Sequence, residues 1–294
     1  MHRYALSFPN ALATDPAWQR ACAAARLRRI EFSCATSVLE QPEAFDAQIR
    51  ALALMQARGE VIVGSIHIPF GNGWDFASPD EAKRRQAVRR VERFLRACRP
   101  LACRNYTLHG CLEPVPLDDE PRQRCIDAFR QTLADLMPLC RELDISLNVE
   151  LLPRSCLANH AAELQRMTDD FPHDHVGVCL DVNHLCGHPE ALPDAIRLLA
   201  PRIRAFHLSD YDGIDECHWY PMLGVIDWPA VMDAIRELPQ AVVLIFETHG
   251  FIHPPVWQRR TIDPACEFRN AERLIFLLEN AAEITARIAE TPIA

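Results

Sequence analysis

Six side chains able to carry acid–base or metal chemistry recur along the chain, each at the end of a short apolar run. They are His67, His109, Glu150, Asp181, His207 and Glu247. His184 follows Asp181 by three residues, and Asp210 follows His207 by three. Taken singly, such residues have bland readings: a structural hydrogen-bonded histidine, or a solvated glutamate at a rim. Gathered around one axial pocket, they imply more. Burying several carboxylates without compensation costs several kcal/mol each. A divalent cation cancels that cost, and Glu, Asp and His are the side chains that bind Zn²⁺, Mn²⁺ or Co²⁺. The expectation is a site for a divalent metal ion.

Chemistry of this kind needs a scaffold that ends its strands in one place. Strand-like runs cover 4–8, 29–33, 61–67, 105–109, 145–150, 176–181, 203–208 and 242–247, β-branched and apolar through both faces. Amphipathic stretches separate them, at about 15–26, 43–57, 80–97, 122–143, 159–169, 192–199 and 228–238, with a last helix over 266–288. Eight strands alternating with eight helices predict an α/β fold, a parallel (β/α)₈ barrel, with an open doubly wound sheet as the alternative. In a barrel, catalytic residues gather at the C-terminal ends of the strands. No Gly-, Ser- or Pro-rich linker divides the chain, so 1–294 reads as one domain. The loop over 248–264 is long and reads as a lid or a subunit contact.

Composition narrows the function classes. The chain has 294 residues, 49% hydrophobic and 24% charged, enough to fill a core. No run of uncharged apolar residues is long enough to span a membrane. The short apolar run near the N-terminus is broken by Pro9 and does not read as a signal peptide. The formal net charge of −9 argues against a nucleic-acid partner. The twelve cysteines form no C-x-x-C and read as reduced thiols of a cytoplasmic protein. Lys83 is the sole lysine and falls on a predicted helix surface, which disfavours Schiff-base, pyridoxal phosphate and Walker-type chemistry. Neither G-x-G-x-x-G nor G-x-S-x-G occurs.

The sequence resembles the xylose-isomerase-like TIM barrels, which include sugar isomerases, sugar epimerases and endonuclease IV. The resemblance runs in order from His67 to Glu247. It is carried by Val176-Gly177-Val178-Cys179-Leu180-Asp181-Val182-Asn183-His184, by Phe206-His207-Leu208-Ser209-Asp210, and by His218 followed by Leu223-Gly224-Val225-Ile226-Asp227-Trp228. The ketose 3-epimerase branch implies one metal held by Glu150, Asp181, His207 and Glu247. There the metal polarises a carbonyl and its neighbouring hydroxyl, Glu150 and Glu247 exchange a proton with carbon through an enediolate, and His184 binds a substrate oxygen. The substrate so implied is a small polyhydroxy carbonyl compound, a sugar or sugar phosphate. The endonuclease IV branch implies up to three zinc ions and further ligands. Its counterparts here are His67, His109, Asp181 with His184, and Glu216 with His218, a glutamate standing where that branch has aspartate. Its second reading is a zinc phosphoesterase. The loops depart from both branches: Met222 replaces the first of two expected glycines, Leu151-Leu152-Pro153-Arg154 follows Glu150, and no arginine lies between Arg204 and Arg236. Barrels of this kind often form dimers or tetramers, so a homo-oligomer stays open.

Other candidates are weaker. Trp74 and Phe76 lie in a glycine-flanked loop after the third strand and would either pack on the C–H face of a sugar or cap the barrel. Arg259 and Arg260, in the long loop, suit a phosphate or carboxylate. Glu31 ends the second strand and is expected at the pocket rim.

Overall fold

The computed structural model describes residues 3–111, 114–248 and 263–290. Eight parallel strands close into a barrel in sequence order, the first pairing with the last. The strands are β1 (Arg3–Pro9), β2 (Arg29–Ser33), β3 (Ile62–His67), β4 (Asn105–Leu108), β5 (Ser146–Glu150), β6 (Val176–Asp181), β7 (Ile203–Leu208) and β8 (Val243–Phe246). Around them run α1 (Pro16–Ala24), α2 (Pro42–Ala57), α3 (Glu81–Cys98), α4 (Asp119–Leu143), α5 (Ala161–Thr168), α6 (Leu192–Leu199), α7 (Trp228–Arg236), α8 (Pro264–Glu279) and α9 (Ala281–Glu290). This is the TIM barrel expected from the alternation of runs. The single helix expected over 266–288 is instead two, α8 and α9, parted at Asn280, whose side chain turns back to donate to the Phe276 carbonyl at 2.7 Å. No helix among the described residues is long and apolar enough to cross a membrane.

Local chemistry explains where the helices begin. Asp15, Asp80, Asp227 and Asp263 each precede a helix and accept its orphan backbone N–H groups, as Asp15 does from Ala17 at 2.7 Å and Trp18 at 2.9 Å. The period of two along each strand then divides the interior from the helix layer. In β7, Phe206 and Leu208 belong to the large apolar core that the helices cover, as does Ile203, which lies before the register shift against β6. Ala205 joins Ala5, Cys179, Val243 and Ile245 in a separate cluster of mostly small residues. The same alternation sends Asp181 and His207 inward, and they face one another across the β6–β7 pair. Small side chains low in the barrel and polar ones near its C-terminal end leave the mouth to the charged ring.

Candidate active site

Glu150, at the end of β5, is the hub of the pocket and only 1% exposed. Its Oε2 lies 3.2 Å from His67 Nε2 and 3.1 Å from His109 Nε2. Its Oε1 lies 3.1 Å from His207 Nδ1 and 3.7 Å from His184 Nδ1. The barrel thus gathers imidazoles from β3, from just beyond β4 and β6, and from β7 onto one carboxylate.

Three carboxylates converge on a single ring nitrogen. Around His207 Nδ1 stand Glu247 Oε2 at 3.0 Å, Glu150 Oε1 at 3.1 Å and Asp181 Oδ2 at 3.8 Å. Asp181 Oδ1 accepts from the Asn183 backbone at 2.7 Å, but its buried Oδ2 has no hydrogen-bond partner among the described residues. An orphaned buried carboxylate oxygen is costly unless a cation meets it. Donor atoms of Glu150, Asp181, His207 and Glu247 all lie within 4.8 Å of one another. A hard anionic set with one imidazole fits a divalent cation.

A second group adjoins the first. His184 Nε2 lies 3.0 Å from Glu216 Oε2 and 3.5 Å from Asp181 Oδ2, and His218 completes a triad of potential ligands. Glu216 also meets Arg154 Nη1 at 3.0 Å, which binds Asp215 at 2.8 Å as well. His218 holds a left-handed backbone, φ 51°. The loop bearing both residues, 211–227, is organised by Asp210, two residues beyond the end of β7. That buried carboxylate accepts from the backbone N–H of Tyr211 (3.0 Å), Met222 (3.0 Å) and Ile226 (3.3 Å) and from Trp228 Nε1 (2.8 Å). Gly224 sits against it, where a Cβ would come within 2.2 Å of both Asp210 Oδ1 and the Tyr211 carbonyl.

The electrostatics show a pocket in want of positive charge. Burial opposes protonation of His67, yet Glu150, backed by Glu31 and Glu247, pushes the imidazole up to about 9. Burial likewise opposes Asp181, Glu216 and Glu150 around His184, and they prevail, taking it to about 10. His207 is raised well above the ordinary range against the same burial. His109 goes the other way, pushed down chiefly by burial. Burial raises Asp181 to about 7, with Glu247 and Glu150 adding to the rise. Burial would raise Glu150 too, but the His207 and His109 imidazoles hold it well below the usual carboxylate range. Glu216 is lowered to about 2, first by its hydrogen bond with His184.

The structure brings together His67, His109, Glu150, Asp181, His184, His207, Glu216, His218 and Glu247 at the C-terminal mouth. It does not bring Trp74 or Phe76 there. Trp74 packs edge-on against Phe94 of α3 and under the Arg90 guanidinium, and the Phe76 carbonyl accepts from Thr132 of α4, because the apolar rings find burial in the helix layer. Phe70 of the same loop remains 48% exposed and stacks on His109, ring centroids 4.0 Å apart. Arg259 and Arg260 lie outside the described residues. Glu31 is not at the rim: it is fully buried within the barrel, its carboxylate 3.3 Å from His207 Nε2. Strand parity held the signal, since Glu31 shares the inward phase of its neighbours Ser7 and Ser65.

Residues 20–268 match the family model described as xylose isomerase-like TIM barrel. An uncharacterized protein, y4fM, of Sinorhizobium fredii (strain NBRC 101917 / NGR234) is 26% identical over 179 residues, 59% of this chain and 56% of that protein's length. Among solved structures, an L-ribulose 3-epimerase superposes with a TM-score of 0.75 at 21% identity over 100% of both chains. A D-tagatose 3-epimerase-like protein gives 0.75 at 17% identity, covering 95% of this chain and 99% of that one. The IOLI protein with a binding zinc atom gives 0.74 at 15% identity, covering 95% and 98%. At such identities these likenesses establish the fold. The family match spans most of the sequence, and the closed barrel agrees with it: the chain belongs to the xylose isomerase-like TIM barrel family.

Proposed function

We propose that the chain is a divalent-metal-dependent isomerase or epimerase acting on a small polyhydroxy carbonyl compound, a sugar or sugar phosphate, in the cytoplasm. The observation that carries this reading is the meeting of Glu150, Asp181 and Glu247 around His207 Nδ1, with Asp181 Oδ2 making no hydrogen bond among the described residues. Those four residues would hold the ion. When bound, it would supply a Lewis acid that polarises a carbonyl and its neighbouring hydroxyl and favours loss of a proton from carbon. Glu150 and Glu247 divide the proton work. Glu150 is pinned by imidazoles on both oxygens, whereas the Glu247 side chain keeps 18% exposure towards the mouth. One removes the proton from carbon and the other returns one, the pattern of paired acid–base catalysis. His184, its Nδ1–H given to the Leu151 carbonyl at 2.8 Å, presents Nε2 to a substrate oxygen. The epimerases among the structural neighbours and the neighbour with bound zinc support the reading.

The group of His184, Glu216 and His218, together with His67 and His109 on Glu150, favours a second reading: a zinc phosphoesterase with two or three metals. Elemental mass spectrometry on untagged protein separates the two. About one Mn, Mg, Co or Zn per chain, with ketose isomerisation abolished in Glu150→Gln and Glu247→Gln but partly kept in His67→Ala and His218→Ala, is the expected result. Two or three Zn per chain, with phosphoesterase activity lost in all four variants, would replace the first reading by the second.

A further inference from the structure

The histidines of the pocket are oriented by two different means. His67, His184 and His218 each turn Nδ1 to a backbone carbonyl, of Ile68 (2.9 Å), Leu151 (2.8 Å) and Glu247 (3.1 Å). A carbonyl oxygen only accepts, so Nδ1 bears the hydrogen and Nε2 is the nitrogen presented to the pocket. His207 is reversed. Its Nδ1 faces the three carboxylates, and its Nε2 points into the barrel, where among the described residues no carbonyl accepts from it and both oxygens of Glu31 lie at 3.3 Å.

Glu31 is itself firmly held. Ser65 Oγ donates to its Oε2 at 2.8 Å, Ser7 Oγ to its Oε1 at 3.1 Å, and Thr107 Oγ1 reaches Oε2 at 3.5 Å. The donors come from β1, β3 and β4, so four strands share the placement of this buried carboxylate, and the β2–β3 register shifts just before it, between Ile30 and Glu31. The mouth chemistry proposed above gives Glu31 no contact with substrate or ion.

We propose that Glu31 is a positioning residue: it holds the hydrogen of His207 on Nε2, fixes the ring's orientation, and thereby presents Nδ1 to Glu150, Asp181 and Glu247 as the fourth donor of the site. This rests on the reading of those four residues as a metal site. A carboxylate behind a ligating imidazole makes it a better donor, and its loss typically weakens metal affinity about 10–100-fold.

The test compares zinc affinity, by competition with a chromophoric chelator, in metal-free wild type and Glu31→Gln, and records the visible spectrum of each with Co²⁺ bound. Expected are a 10–100-fold weaker zinc affinity and altered cobalt bands in Glu31→Gln. Thr132→Val, which removes a buried hydroxyl from the helix layer, should bind zinc as wild type does. If Glu31→Gln fails to fold, Ser65→Ala takes its place: it loosens Glu31 without touching His207, and a smaller loss in the same direction is expected. Zinc affinity within twofold of wild type and an unchanged cobalt spectrum in the folded Glu31 or Ser65 variant, while His207→Ala loses binding, would overturn the positioning role and leave the metal reading intact. Wild-type affinity in His207→Ala would overturn both.

Discussion

Asparagine at position 210 is the most direct challenge to the account of the loop over 211–227. The two oxygens of Asp210 divide four donors evenly: Tyr211 and Ile226 N–H on Oδ1, Met222 N–H and Trp228 Nε1–H on Oδ2. An asparagine has one acceptor oxygen. Whichever way its amide turns, the NH₂ group faces two N–H donors, and both lose their acceptor in a site with no solvent exposure. Each buried donor so stranded costs about 1–3 kcal/mol, hence about 2–6 kcal/mol for Asp210→Asn. For a chain of this size each kcal/mol lowers the thermal midpoint by about 2–4 °C, so a fall of about 4–24 °C is expected. Differential scanning calorimetry measures it. Because the loop carries Glu216 and His218, near-ultraviolet circular dichroism should report loosened packing around Trp228 below the transition. A midpoint within 2 °C of wild type would refute the claim that this carboxylate organises the loop.

Three further outcomes follow from the same geometry. Gly224→Ala forces a Cβ to within 2.2 Å of the Tyr211 carbonyl and Asp210 Oδ1, neither of which is free to move, and should cost about 1–3 kcal/mol in equilibrium unfolding. In chelator-treated protein, the thermal midpoint should fall as pH rises from 7 to 10. The folded-state values of His67 (about 9) and His184 (about 10) stand above the ordinary 6.5, so their contribution is complete below about 6.5 and is lost as pH passes through those values; a flat or rising midpoint across that window would show that their carboxylate partners do not hold the proton. Phe70→Ala, which removes an exposed ring stacked on His109, should raise KM by about 2–10-fold in an isomerisation assay with kcat and thermal midpoint nearly unchanged.

The barrel was readable from the sequence because its strands are buried on both faces and end abruptly in charge. β2, β6 and β7 begin and end at the expected residues. The convergence of six strand ends was also readable, since barrel closure leaves them one place to meet. Less legible were features decided by tertiary competition. Trp74 and Phe76 share a loop with Phe70, and composition alone did not say which ring would be drawn under α3 and which left at the mouth. Glu31 looked like a rim residue because it is charged and near a strand end. Its true depth follows from the stagger of β2 against β1 and β3, which pairs it with Ser7 and Ser65 two residues before the strand stops. Asp210 was visible as part of a pattern, but its work, gathering donors from up to eighteen residues downstream, belongs to the folded loop.

The four residues of the acidic cluster, Glu150, Asp181, His207 and Glu247, all come from the second half of the barrel, from β5 to β8 and the residue beyond it, whereas Glu31 and His67 reach them from the first half. The halves therefore stand in the relation of instrument and mount. A chimera that joined residues 145–290 to the leading four strands of another family member would carry the whole acidic cluster with it. It would inherit a correctly aimed His207 only if the donor half brought an acid to the depth of Glu31. Under the positioning role proposed for Glu31, that position is one compatibility requirement for exchanging halves of this barrel, and it lies below the mouth, inside the strands.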